Sequence, residues 1–187
     1  MAKSKLSELL EKREAEISAQ WLELQNAGGK KGFPRGAGRS AAAEAVRILH
    51  SVPGLSPAEI VERAHLALRS TRGAALAVAR VDRYRERVTF AGIGNIAAHI
   101  YSGVTEAQHL VSVHGTAGFQ TSKIREFEYP WPNRGMLLMH SDGLGGHTSP
   151  ASYPGLALRD PALIAAILYR DFARGNDDAT VVAARVA

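Results

Sequence analysis

Two stretches decide the fold: GMLLMHSDG at residues 135–143 and GNDDATVVAARV at residues 175–186. The first is a four-residue apolar run, Met136–Met139, that leads through His140 into Ser141-Asp142-Gly143, and the second opens on Asp177-Asp178 before a β-branched run. Short runs of this composition, bounded by turn residues, are the pattern of buried strands. Each therefore puts a carboxylate on a tight turn at a strand end. If the two strands are neighbours, Asp142 and Asp177 meet despite 35 positions of separation. Two carboxylates in a partly dry cleft repel, and a hard divalent cation such as Mg²⁺ or Mn²⁺ removes the conflict. The residues alone leave a second reading open, in which Asp-Gly is an ordinary turn and Asp-Asp-Ala-Thr a solvated cap.

Working outward, AALAVARVD (74–82) and RVTFAGIG (87–94) flank the charged DRYRER and form a hairpin. Strands are expected at 96–101 and 109–114, and KIREFEYP (123–130) alternates imperfectly, as an exposed strand does. Residues 40–50 are predicted helical. A second helix runs from a capping box, Ser56 with Glu59 and Pro57 at its first position, to about residue 69. Asp160-Pro161 opens a third, DPALIAAILYRDFARG. Residues 149–159 carry two Pro-bearing turns and form either a flap over an active edge or a plain crossover. Residues 5–25 repeat Leu6, Leu10, Ile17, Trp21 and Leu24 at helical steps, and the breakers of 26–38 follow as a linker. The organisation is then a helical extension over 1–27 and a domain over 28–187. Strands interleaved with helices give an α+β fold, with antiparallel or mixed sheets flanked by helices.

Composition narrows the function. The chain has 187 residues, 45% of them apolar, and no cysteine, which excludes disulfides and thiolate chemistry. No apolar run has transmembrane length and the charged start is no secretory signal, so a cytoplasmic location and no membrane partner are expected. A net charge of +5 invites a nucleic-acid reading, but 23 basic residues against 18 acidic ones are scattered and carry no recognition motif. AGIGN (91–95) is not a nucleotide fingerprint and is taken as a tight hairpin turn, with Asn95 bracing it. Ser141 lacks a nucleophile elbow, and His147 lacks a ligand at metal-binding spacing. His140 is read as a buried, hydrogen-bonded strand residue and Trp131 as a packed surface or partner contact rather than a base-stacking residue.

Together, TRGAALAVARVD, FAGIGNIAAHIYSG, HGTAGFQ, LLMHSDGL and GNDDATVVAARV resemble the middle and C-terminal parts of a PPM-type metal-dependent protein phosphatase domain. The likeness spans residues 32–187 and is nearest to the stage II sporulation protein E-like branch. It implies that Asp142 and Asp177 hold Mg or Mn and act as the catalytic carboxylates, with Asp178 a further ligand or an orienting group. HGTAG would be a loop near the cleft. The family's earlier DGLGHG phrase is replaced by KGFPRG (31–36), so its aspartate falls on Lys31, and the first strands are missing. An ammonium offers a metal no acceptor. The resemblance therefore implies a phosphatase-like regulatory domain, with weak or absent metal binding and weak or no activity alone. The alternative is an active Mg/Mn-dependent serine/threonine phosphatase in a bacterial sigma-factor pathway. A phosphoprotein or signalling protein is the implied partner, and the 5–25 helix is a route to self-association.

Overall fold

The computed structural model describes residues 37–52, 54–103, 107–121, 123–145, 147–175 and 179–186. The expected 5–25 helix and the residues Lys31, Asp177 and Asp178 lie outside these residues.

Alternation along the strands builds the architecture. In β1 (Leu76–Asp82) and β2 (Arg87–Ile93), Leu76, Val78, Ala91 and Ile93 face one way and Ala77, Ala79, Val88 and Phe90 the other. Both faces of this hairpin are buried, as its near-continuous apolar composition demands. Asp82 accepts from the amides of Tyr84 and Arg85, each at 3.0 Å, and so closes the charged turn. β5 (Phe127–Pro130) pairs with β2, giving a three-stranded antiparallel sheet in the order β1-β2-β5. Only the second half of KIREFEYP is strand, and it sits at the sheet edge with Glu128 and Pro130 exposed.

The second sheet runs β4-β3-β6-β7, also antiparallel, from β3 (Ala97–Tyr101), β4 (Gln108–Leu110), β6 (Met136–His140) and β7 (Val181–Arg185). Its inward residues Ala98, Ile100, Leu110, Leu137 and Met139 join Phe90 and the alanines of β1 in one core between the sheets. Trp131, expected on the surface, is 8% exposed and belongs to this core. Its amide donates to Glu86 O at 2.8 Å, which swings the indole in behind the β1–β2 turn.

Helices cover the outer faces. α1 (Ala37–Ser51) and α2 (Pro57–Ala67) pack on the first sheet through Ala45, Ile48, Leu49, Ile60, Val61 and Ala64. The predicted capping box is present: Ser56 Oγ accepts from Glu59 N at 3.3 Å and Glu59 Oε2 from Ser56 N at 2.7 Å. α3 (Pro161–Phe172), capped by Asp160 through Ala162 N at 2.9 Å, buries Ile164 and Leu168 against Met136 and Leu138 of the second sheet. Full burial of such side chains is worth about 1.5–3 kcal/mol each. The result is a helix–sheet–sheet–helix sandwich.

Two expectations change. AGIGN is not a hairpin turn, because β2 and β3 belong to different sheets and the segment carries the chain across between them. Gly94 (φ +96°) permits the crossing; a Cβ there would meet Ala75 Cβ at 2.8 Å. The strand expected at 109–114 shortens to β4, after which Val113 leaves to bond Gly92 and Gly94 at the rim of the first sheet.

Candidate functional site

β6 and β7 are neighbours, with His140 opposite Val181. The pairing continues one residue further: Ser141 N donates to Thr180 O at 3.1 Å, and Ser141 Oγ accepts from Thr180 N at 3.0 Å. Ser141 is fully buried, so this hydroxyl is a structural clamp and not a nucleophile. The clamp places the Asp142 turn beside Thr180, two and three residues from Asp178 and Asp177 in sequence. The end of α3 is fastened to the same turn, with Arg174 N donating to Gly143 O and Gly145 N to Phe172 O, both at 2.9 Å. Asp142, half-buried, also receives a hydrogen bond from Asn95 Nδ2, 47 positions away. Asn95 thus does more than brace its own turn: it reaches across the sheets to the carboxylate.

From this corner a cleft of about 800 Å³ runs along the outer face of the second sheet, beyond the reach of α3. Asn95, Ser141, Asp142 and Arg174 line one end, and His99, Tyr101 and His109 the floor, while His147, Ser149 and Ser152 form the rim. Residues 149–159 are therefore partly a wall of the cleft. They are built as two short 3-10 turns, Pro150–Ser152 and Leu156–Leu158, with Leu156 anchored in the α3 core. HGTAG does not line the cleft. It docks on the end of α2, where Gly118 N donates to His65 Nδ1 at 3.1 Å and a Cβ on Gly118 would lie 2.5 Å from Leu68 O.

The floor is electrostatically unusual. The rings of His99 and His109 meet edge-on at 4.3 Å, and those of His99 and His140 stack at 6.2 Å. Burial, then the neighbouring His109 and His140, push the His99 pKa from 6.5 down to about 4, so it is neutral near pH 7. Burial lowers His140 too, against the opposing pull of its hydrogen bond to Ser141 O at 2.9 Å. His140 is thus buried and hydrogen-bonded, as expected from sequence. Sequence reasoning missed His99, Tyr101 and His109, although the alternation in AAHIY, with Ala98 and Ile100 inward, already put His99 and Tyr101 on one outer face.

A family model described as stage II sporulation protein E matches residues 31–187. The chain belongs to that family. Similar solved structures agree on the fold. One chain, from work on the bacterial stressosome as a modular system adapted to control secondary messenger signalling, is 24% identical. It aligns over 83% of this chain and 80% of its own, at a TM-score of 0.72. RsbX in complex with magnesium is 15% identical, over 89% and 93%, at 0.70. The Mycobacterium tuberculosis serine/threonine phosphatase PstP/Ppp is 15% identical, over 83% and 85%, at 0.63. No curated protein matches the chain. The sandwich is the PPM phosphatase fold. No helix among the described residues is long and apolar enough to cross a membrane.

PPM phosphatases imply a divalent metal centre. Among the described residues no three His, Asp or Glu side chains are grouped to hold an ion, and Asp142 is the one described carboxylate lining the cleft. One of its oxygens already accepts from Asn95, and the other titratable groups along the cleft are imidazoles, Tyr101 and Arg174. A two-ion centre needs several hard oxygen ligands, of which Asp142 is the one carboxylate that the described residues bring to the cleft.

Proposed function

We propose that this stage II sporulation protein E family member is a phosphatase-like regulatory domain. It engages a phosphorylated signalling protein and hydrolyses phosphoserine or phosphothreonine weakly or not at all by itself. The observation that supports the phosphate-related reading is the Ser141–Thr180 clamp, which holds the Asp142 turn to Thr180, the residue that follows Asp177-Asp178-Ala179 in sequence. Weak activity is argued from Lys31, which stands where the family phrase has an aspartate, and from the single described carboxylate of the cleft. In this reading residues 28–187 form the partial phosphatase domain in the cytoplasm, and the segment 1–27 is a helical extension available for self-association. Nucleic acid is not a partner.

A second reading is an active Mg- or Mn-dependent enzyme of a bacterial sigma-factor pathway, favoured by the magnesium complex of the similar RsbX. Asp142 and Asp177 would then hold the ions, with Asp178 as ligand or orienting group, and the ions would activate water. Manganese titration with phosphopeptide hydrolysis as the readout separates the two. We expect little or no turnover and weak metal uptake. Robust turnover abolished by both Asp142→Asn and Asp177→Asn, with two ions bound per chain, would establish the active reading.

A further inference from the structure

The imidazole floor of the cleft is not accounted for by phosphate chemistry. His99 Nδ1 is buried without a hydrogen-bond partner, at the bottom of a groove whose rim residues His147 and Ser152 are exposed. Leaving a buried polar atom unmatched is costly, and a turn of the ring that brings this nitrogen to the groove lets an incoming group restore the bond. A neutral imidazole donates through one nitrogen and accepts through the other, which suits a hydroxyl or carboxamide and disfavours a cation or a hydrocarbon.

The register gives the reach. His99 lies opposite Leu138, four positions before Asp142 on the adjoining strand and turn. At ~3.4 Å per residue, about 13 Å separate the two. An extended polypeptide covers that span in about four residues. The groove also follows the strand direction and is open along its rim, so it accepts a continuous chain more readily than a small enclosed molecule.

We propose that this groove reads the partner's sequence: with the phosphorylated residue beside Arg174 at the Asp142 end of the groove, His99 and His109 select a neutral hydrogen-bonding side chain about four residues away. The inference rests on the phosphoprotein reading above. The test uses fluorescence anisotropy of the full chain with phosphoserine peptides that carry Asn, Gln, Ser, Leu or Lys four residues before or after the phosphorylated position. The wild type is expected to prefer Asn, Gln or Ser over Leu by about 5-fold on one side, the worth of one net hydrogen bond. His99→Phe keeps a ring but no nitrogen and is expected to erase the preference while binding the Leu peptide unchanged. His99→Gln, which keeps a donor and an acceptor, is expected to retain part of it; thermal melts confirm that both variants fold. Tight binding with no preference, or a preference unaltered in His99→Phe, overturns the groove assignment alone. Failure of every phosphopeptide to bind better than its unphosphorylated form overturns the phosphoprotein reading and this inference with it.

Discussion

The two outer flanks of the sandwich face the same physical problem and solve it differently. On the first sheet α1 and α2 lie over the β1–β2 hairpin, and the interface is aliphatic, with Val61, Ala64, Leu68 and Leu76 all fully buried. On the second sheet α3 covers β7 and part of β6, packs as far as Tyr101 and then stops, leaving the rest of the outer face of β3 and β4 to His99 and His109. A sheet face left without a helix must carry side chains that tolerate water on one side, and imidazole and phenol do. The lesson is that the covered flank supplies stability while the uncovered flank supplies the groove, and the acidic corner sits where the cover ends.

The largest expected effect tests the covered flank. Leu68→Ala removes a fully buried side chain under α2 and should cost about 2–5 kcal/mol in urea unfolding. A loss below ~1 kcal/mol would mean that the α1–α2 layer is not integral to the fold. The next tests the open flank. His99 has its folded pKa near 4, below its ordinary 6.5, so the folded chain binds fewer protons than the unfolded chain between these values. Stability is then full above pH 6.5 and drains away as pH falls towards 4, by at most about 3 kcal/mol after allowing for the partial exposure of the ring. His99→Phe should flatten that part of the pH–stability curve. An unchanged curve would show that the floor histidines titrate normally.

Smaller effects sharpen the boundary between the flanks. Ser141→Ala leaves Thr180 N without its acceptor and should cost about 1–3 kcal/mol. Hydrogen exchange should then rise at Thr180 ahead of the amides of β7. Ser56→Ala, which opens the capping box of α2, should cost about 1 kcal/mol and leave exchange in β7 untouched. If both substitutions loosened the same amides, the two flanks would be one cooperative unit.

These contrasts explain what the sequence alone revealed. The helices were legible because their starts carry local chemistry, Ser56 with Glu59 and Asp160 with Pro161, and the hairpin because its turn residues lie between two apolar runs. That the strand ending in SDG and the strand of TVVAAR are neighbours was legible from their composition and bounding turns, and the β6–β7 pairing extends as far as Thr180. Non-local choices were not legible. Whether AGIGN turns back within one sheet or crosses to the other depends on Ala75 and Val113, neither of which the five residues name. Trp131 looks exposed between two prolines until the Glu86 carbonyl is known to hold its amide. The histidine floor required knowing that β4, β3 and β6 lie side by side, because only then do three isolated histidines share one face.

The Ser141–Thr180 clamp also has a kinetic consequence. It joins residues 39 positions apart, and the Asn95–Asp142 bond joins residues 47 apart, whereas the β1–β2 hairpin closes across a four-residue turn. Loops that long are slow to close and are rewarded only after their ends meet. The helix-backed hairpin should therefore be the nucleus on which the chain condenses, and the acidic corner a late arrival.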